Sequence, residues 1–257
     1  MMFTTNPFTQ LTAFVPPAVM QGYIVLMVLA VVAGTAFDLL NEKKIQFFLQ
    51  DRARAKAAAK RPLGAADRAA IATRTIAHDI ATFGEFCNQQ RRISHALMFY
   101  GFVTYLVTTV AMVFVYPTDT HPPVGLPVLW NIGALMTLVG GYWFFFFLRV
   151  NVVQDGHPPW RLVRADLFIG SLLASVTFAV LFEWVAMAGN PVATRAFAGL
   201  YVLFTTLLFA SVPWSKFAHM FYKPVVAFQR RVEEADGSSD LPTPTTTGRE
   251  RCPPSHI

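Results

Sequence analysis

The chain has 257 residues, of which 54% are hydrophobic and only 14% are charged. Soluble domains carry about 25% charged residues, so this composition excludes an ordinary soluble domain and favours an integral membrane protein. Two cysteines are too few for an iron–sulfur cluster or a structural zinc site. The net charge of +6 comes from basic residues that lie beside apolar runs. This pattern is typical of a membrane protein and not of a nucleic-acid-binding protein.

Apolar runs long enough to cross a bilayer, which takes roughly 20 residues, occur five times along the chain. They cover residues 18–40, 94–116, 126–148, 166–188 and 196–221. The fifth run ends in the polar stretch SVPWSKFAHMF, so its last turns are expected at the membrane interface. The sequence therefore predicts an all-α integral membrane protein, a bundle of five transmembrane helices.

Basic residues are distributed unevenly between the loops. Residues 41–94 contain eleven Lys or Arg, the 149–165 loop three, and the end of the fifth run with the tail six, whereas Arg195 alone falls on the opposite side. The positive-inside rule then places the N-terminus outside and the C-terminus in the cytoplasm. We expect a multi-pass protein of the bacterial inner membrane.

Four regions follow from this pattern. They are an N-terminal segment with the first helix (1–40), an Ala-rich basic segment (41–93), a four-helix core (94–226) and a disordered cytoplasmic tail (227–257). In the basic segment RAAIATRTIAHDIATFGEF predicts a helix, which Pro62 and Gly64 separate from the preceding residues. This segment is either a solvated helix held by anionic lipid or a docking platform for a cytoplasmic partner.

Two histidines lie in or at the edge of the predicted spanning helices. His95 begins the second helix and His219 ends the fifth, at the same predicted depth. Two imidazoles at one level on facing helices are what a six-coordinate haem iron needs. The alternative is that both are interfacial histidines that hydrogen-bond a carbonyl or a lipid headgroup.

Basic and small residues surround both histidines. Arg91, Arg92 and Lys216 are candidates to bind the haem propionates through charge-assisted hydrogen bonds, or they are ordinary positive-inside anchors. Small residues near the histidines leave room for a macrocycle or serve close helix packing; they are Ser94, Ala96, Gly101, Ser215 and Ala218.

Two acidic residues belong to the fourth helix. Asp166 opens it, where the helix dipole favours a carboxylate. Glu183 lies late in the same helix, in the outer half of the membrane, and is either a proton relay or an interface residue.

The stretches RRISHALMFYGFVTYLVTTV and PWSKFAHMFYKP, with Ala165 and Asp166 opening the fourth helix, resemble the membrane cytochrome b subunits of respiratory complexes. These are the gamma subunit of membrane nitrate reductase and the membrane subunits of heterodisulfide reductase and of the quinone-interacting oxidoreductase of sulfate reducers. The Pro-x-Ser-Lys-Phe-x-His run is the most specific part. The resemblance extends over residues 90–226, just over half the chain.

The resemblance implies one b haem with His95 and His219 as axial ligands of its iron. That family holds a second, outer haem, but the positions of the outer ligands correspond here to Tyr105 and to the region of Tyr201. A second haem is therefore not expected. Both tyrosines either line a cavity in which a phenol hydrogen-bonds a quinone, with Glu183 as a proton group, or are packed aromatic residues.

The resemblance also implies the function. We expect a membrane anchor and electron-transfer subunit that links cytoplasmic flavin and iron–sulfur oxidoreductase subunits to the quinone pool. The short chain and single haem are similar to the anchor of dissimilatory adenylylsulfate reductase, a sulfur-metabolism enzyme. The sequence carries no catalytic nucleophile or phosphate loop, so substrate chemistry belongs to the partner. The alternative is a haem-free structural anchor that only recruits the soluble enzyme.

Overall fold

The computed structural model describes residues 3–41, 44–84, 86, 88–149, 161–162, 166–212 and 219–239, without the side chains of residues 41, 44 and 219–221. Every regular element in this part of the chain is helical. In chain order the α-helices are α1 (Pro17–Asn41), α2 (Lys44–Ala58), α3 (Ala65–Arg74), α4 (Gln89–Phe114), α5 (Gly125–Trp143), α6 (Leu167–Met187), α7 (Pro191–Ala210) and α8 (His219–Asp236). A 3-10 helix (Pro7–Ala13) precedes α1, and π-helical turns follow α3 (Thr75–Ala81) and α5 (Phe144–Leu148).

Two compact units divide the chain. The membrane unit comprises Met1–Thr35 and Ile93–Lys216, and the basic unit comprises Ala36–Arg92 and Phe217–Ile257. Within the basic unit, eleven Lys or Arg lie between Ala36 and Arg92 and five lie after Phe217, out of 21 in the whole chain. The boundary between the two units therefore also separates the basic part of the chain from the apolar part.

Five helices are long and apolar enough to cross a membrane, namely Pro17–Leu40, Gln89–Phe114, Gly125–Leu148, Leu167–Met187 and Pro191–Ala210. Large apolar side chains remain exposed along them; in α1 Leu26, Leu29 and Val32 each expose more than half of their surface. In water such exposure is costly, whereas lipid solvates it. The prediction of a multi-pass helical membrane protein is confirmed.

The fifth spanning helix ends earlier than the sequence predicts. It begins at Pro191 and ends at Ala210, where the backbone N–H of Ser211 donates to the carbonyl of Leu207. The helix therefore stops short of the predicted end at residue 221, and residues 213–218 of that run lie outside the described part of the chain. His219 instead opens a separate helix, α8, which continues to Asp236. Residues 227–236 of the predicted tail are therefore helical.

Close contact between α4 and α5 depends on glycine. A Cβ atom on Gly133 would lie 2.6 Å from the backbone nitrogen of Tyr105, and one on Gly101 would lie 2.6 Å from that of Thr137. Small residues of this kind let membrane helices approach closely where apolar burial supplies no driving force. The Ser94 hydroxyl then donates to the carbonyl of Gly140, 2.8 Å away, in the same interface.

Polar contacts also join α7 to its neighbours in the membrane unit. The Tyr23 hydroxyl of α1 lies 2.9 Å from the Thr206 hydroxyl, and Ser175 of α6 lies 2.7 Å from the hydroxyl of Thr205. The rings of Phe178 and Phe204 stack beside the second pair. These contacts fix the rotation of α7 against α1 and α6.

The basic unit is held together by α8. The guanidinium of Arg231 donates two hydrogen bonds to Asp79, at 2.6 and 2.7 Å. The backbone N–H groups of Lys60 and Arg61 both donate to the carbonyl of Asp236. The predicted helix over residues 68–86 is observed as α3 followed by a π-helical turn, but it begins earlier, at Ala65, and ends earlier, at Ala81.

Gly133→Ala is predicted to destabilise the membrane unit by about 1–3 kcal/mol, because the new methyl group meets backbone that cannot rotate away. Thermal unfolding in mild detergent should show a lower midpoint than wild type. Gly199→Ala is the matched control, since a Cβ on Gly199 meets nothing within 4 Å. Equal midpoints for the two variants would contradict the close α4–α5 contact.

Candidate functional site

His95 lies in the first third of α4 and is half-buried. Its neighbour Ser94 is fully buried and bonded to Gly140 of α5. Phe99 lies one helical turn further along on the His95 face, because side chains four residues apart are neighbours on a helix. The structure therefore places this imidazole on a spanning helix, in partly apolar surroundings.

The remaining predicted haem residues lie elsewhere. His219 is the first residue of α8 in the basic unit, and its side chain is outside the described part, as is all of Lys216. Arg91 is exposed. Arg92 donates from Nε to the carbonyl of Thr82, 2.6 Å away, so this guanidinium is anchored within the basic unit.

A b haem needs two axial nitrogens and a slot for a flat ring. The described residues offer one suitable donor, the half-buried imidazole of His95. Ser94 and Gly101 do not leave room beside it, since both are used in the contact with α5. Of the two interpretations of these small residues, helix packing is the one observed. The described residues therefore fit a haem in one respect, namely that His95 offers a nitrogen ligand for its iron. The described chain contains no cluster of three metal-binding side chains.

Glu183 is the most deeply buried acid in the described membrane unit, with 1% of its surface exposed. Its Oε1 accepts a hydrogen bond from the Asn131 amide at 3.0 Å, and the same amide nitrogen also donates to the Pro127 carbonyl. Its Oε2 has no hydrogen-bond partner among the described residues. Half of the carboxyl group is therefore left unsatisfied in an apolar interior, where such a group is costly.

Tyr105 lies in the same cluster. Its side chain is 4% exposed, and its ring packs on the buried indole of Trp130 with centroids 5.2 Å apart. Trp130 precedes Asn131, the residue that bonds to Glu183. The Tyr105 hydroxyl forms no hydrogen bond of normal geometry with any described residue. Tyr105 is thus a packed aromatic residue that also carries an unsatisfied buried hydroxyl.

Tyr201 approaches the cluster from α7. Its phenol lies close to that of Tyr105 and to the side chain of Thr205. The Thr205 hydroxyl continues to Ser175 of α6. Of the three residues predicted for quinone or proton chemistry, Tyr105 and Tyr201 therefore lie together, and Glu183 is connected to them through Asn131 and its neighbour Trp130.

Asp166 has a partner that the sequence does not reveal. It precedes α6, as predicted, but makes no side-chain hydrogen bond to the helix N-terminus. It forms an ion pair with Arg149 instead, and both side chains are about nine-tenths buried. The Arg149 guanidinium also lies over the ring of Phe145. Arg149 is thus a structural cation and not simply a positive loop residue.

The pair of Asp79 and Arg231 is the main electrostatic contact described in the basic unit. Burial alone would raise the pKa of Asp79, but the Arg231 hydrogen bonds, with a smaller effect from His78, hold that pKa below its ordinary value. The same bonds raise the pKa of the Arg231 guanidinium. The pair therefore joins the π-helical turn to α8 as two charged groups at neutral pH.

Asn131, Thr205 and Ser175 are the functional candidates that sequence reasoning misses. None of these residue types is unusual in a membrane helix, and Asn131 is separated from Glu183 by 52 positions. One signal was present: Asn131 is the only Asn, Asp, Glu, Lys or Arg within α5. A lone strongly polar residue in a spanning helix points to a partner inside the bundle.

The chain matches no protein family, and neither curated proteins nor solved structures show significant similarity to it. The class of protein therefore rests on the fold, which is that of a multi-pass α-helical membrane protein.

Asp79→Asn is predicted to loosen the basic unit at neutral pH but not at low pH. Because the pKa of Asp79 is lower folded than unfolded, its contribution is complete above the unfolded value of 3.8 and is lost as the pH falls through the folded value. Hydrogen exchange of residues 65–81, corrected for intrinsic rates, should be roughly three- to tenfold faster than wild type at neutral pH, for a pair contributing about 1 kcal/mol.

Asp51→Asn, at an exposed position of α2, is the control and should exchange like wild type. A difference between Asp79→Asn and wild type that persists undiminished below about pH 3 would contradict the assignment to an ionised pair.

Proposed function

We propose that the chain is the membrane anchor and electron-transfer subunit of a quinone-linked oxidoreductase complex, with one b haem ligated by His95 and His219. The observation that carries the proposal is the half-buried imidazole of His95 on spanning helix α4. An ionisable side chain on a spanning helix is a functional candidate by default. The resemblance of RRISHALMFYGF and PWSKFAHMFYKP to cytochrome b subunits supplies the second ligand.

Haem bound there would supply a one-electron relay inside the bilayer. The protein residues have separate tasks around it. His95 and His219 would each donate one ring nitrogen to the iron, and Arg91, Arg92 and Lys216 would neutralise the propionates. The bond from Arg92 to the Thr82 carbonyl holds that guanidinium near the start of α4. Exposed apolar side chains on the spanning helices keep the subunit in lipid.

The basic unit supports a role in docking. It folds around its own ion pair and α8, and it carries sixteen of the 21 Lys and Arg residues. Such a charge concentration steers and orients an acidic partner surface. We propose that this unit faces the cytoplasm of a bacterial cell, with the N-terminus outside, and binds a flavin and iron–sulfur oxidoreductase of the adenylylsulfate reductase type.

The second candidate function is a haem-free structural anchor. It is favoured by the folded basic unit and by the use of Ser94 and Gly101 in helix packing, since neither feature requires a cofactor. Recruitment of the soluble enzyme would then be the whole function, and the enzyme would deliver its electrons without this chain. The two candidates differ only in whether His95 and His219 bind iron.

His95→Ala and His219→Ala are each predicted to abolish the b-type absorbance while the protein stays in the membrane. Removal of either axial nitrogen leaves the iron without six-coordinate bis-imidazole ligation. Haem is quantified per chain in the purified variants, beside His121→Ala as the matched control. His121 lies in the exposed 115–124 loop, so its variant should keep the wild-type haem content. Full haem content in either ligand variant would overturn the ligand assignment.

Deletion of residues 52–86 is predicted to release the soluble partner from membranes while haem is retained. The deletion removes the last seven residues of α2, all of α3 and the π-helical turn Thr75–Ala81, but none of the five spanning helices. Partner enzyme is measured in washed membranes of cells that express both proteins. A partner that stays bound would exclude this segment as the docking surface, and simultaneous loss of haem would show that the deletion reaches beyond docking.

A further inference from the structure

Helix α2 is divided along its length into an apolar beginning and a charged remainder. Its large apolar residues all lie at positions 45–49, whereas its charged residues, apart from Lys44, follow Gln50. Phe47 exposes 67% of its surface and Leu49 exposes 53%. Exposure of such side chains to water is unfavourable. The beginning of α2 therefore requires apolar surroundings that the described residues do not supply.

Lipid lies within reach of these exposed apolar side chains. The span Pro17–Leu40 has 24 residues and is therefore about 36 Å long, which exceeds the roughly 30 Å of a hydrocarbon core. Leu40, with 69% of its surface exposed, thus belongs to the membrane interface. α2 begins three residues after Asn41, and three residues reach at most about 11 Å. The lipid-exposed surface of α1 therefore continues onto the beginning of α2.

An open groove lies between α2 and α8 within the basic unit, with a volume of about 390 Å³. This volume falls within the range of small-ligand sites, about 300–1,000 Å³. α8 contributes Val226 to the groove, and α2 contributes Phe47, Phe48 and the polar residues that follow them. Val226 exposes 49% of its surface, so the contacts that hold α8 in the basic unit leave this side chain uncovered. The groove is thus apolar where α2 begins and polar further along α2.

Phe47, Asp51 and Arg54 line the groove from one face of α2, because residues three or four positions apart are neighbours on a helix. Their backbone positions extend over roughly 10 Å of the helix axis. Helical side chains lean toward the N-terminus of their helix, so the long side chain of Arg54 points back toward Asp51. Both residues are exposed, and neither forms an ion pair or a side-chain hydrogen bond with a described residue. A carboxylate and a guanidinium are therefore available beside an apolar surface.

We propose that this groove binds one phospholipid whose headgroup carries a free amine, as in phosphatidylethanolamine. An acyl chain lies on Phe47 and Val226, and the Arg54 guanidinium donates hydrogen bonds to the phosphate. The Asp51 carboxylate accepts a hydrogen bond from the ammonium group. The bound lipid attaches the beginnings of α2 and α8 to the bilayer surface.

Asp51 determines which phospholipid the groove prefers. An anionic headgroup without an amine, such as that of phosphatidylglycerol, would place its negative charge beside this carboxylate with nothing to compensate it. The headgroup of phosphatidylcholine is zwitterionic but has no N–H to donate. Specificity of this kind comes from the repulsive contact as well as from the attractive one.

Photocrosslinking of the full chain tests the site. Phe47→p-benzoylphenylalanine is introduced, and the protein is illuminated in vesicles of equal parts phosphatidylethanolamine, phosphatidylglycerol and phosphatidylcholine. Mass spectrometry should show phosphatidylethanolamine adducts enriched about two- to fivefold over the other lipids, as for an exposed ion contact of ordinary strength. The control is the same replacement at Leu26, which is 58% exposed in the middle of α1; its adducts should follow the vesicle composition.

Charge-removing substitutions, each combined with the photoreactive group at position 47, test the roles of the two charged residues. Asp51→Asn should abolish the preference for phosphatidylethanolamine, and Arg54→Gln should lower phosphatidylethanolamine adducts to the level given by the vesicle composition. Arg52→Gln removes an exposed charge of the same helix that does not line the groove, so it should keep the wild-type preference. Adducts at position 26 show that each variant is inserted in the vesicles.

Three results would overturn the proposal. Adducts at position 47 in proportion to the vesicle composition would indicate general contact with lipid and no site. Enrichment of phosphatidylglycerol would indicate a surface for anionic lipid. Crosslinks to a second copy of the chain, with no lipid adduct, would indicate a protein interface.

The lipid site does not depend on the proposed function. Preparations without haem that show the phosphatidylethanolamine preference would retain the lipid site and refute the haem assignment. Preparations with haem but without that preference would refute the lipid site and retain the haem assignment.

Discussion

Polar side chains inside the membrane unit hydrogen-bond across helices, because lipid offers them no other partner. Ser94 bonds to Gly140 between α4 and α5, Tyr23 to Thr206 between α1 and α7, and Ser175 to Thr205 between α6 and α7. Apolar burial cannot fix the register of these helices, since their outer surfaces are equally apolar. The polar pairs and the glycine contact of α4 with α5 therefore determine how the bundle packs.

Glu183 and Tyr105 are exceptions to this pattern of hydrogen bonding. Each is buried in the same bundle, yet each keeps one oxygen atom without a partner among the described residues. Unsatisfied polar groups of this kind are costly in an apolar interior, and the hydroxyl of Thr35 in α1 is another of them. The ion pair of Arg149 and Asp166 is different, since both of its charges are compensated.

Hydropathy and charge predict the larger features of this protein well. The five spans are recognisable because a bilayer demands long apolar runs, and the break at Pro62 and Gly64 is recognisable because those residues disfavour helix. Hydropathy fails at the end of the fifth span, where aromatic residues around Pro213 keep the average apolar beyond the last turn of α7. Asn131 pairs with Glu183, and Asp79 pairs with Arg231, although the partners are far apart in the sequence. Local sequence patterns do not predict such long-range pairs.

The two units suggest a division of labour that the proposed function uses. Spanning helices hold His95 and the Glu183 cluster in lipid, whereas the basic unit concentrates positive charge around α8. His95 and Tyr105 lie about 15 Å apart along α4, because ten positions separate them.

The most direct measurement is reduction of the chain by quinol in lipid vesicles, followed by visible difference spectroscopy with haem quantified per chain. The proposed function predicts one b haem per chain, and quinol should reduce most of the signal that dithionite reduces. A preparation expressed with its partner and supplied with haem that shows no b-type signal would contradict electron transfer through this chain and would leave the structural anchor as its function.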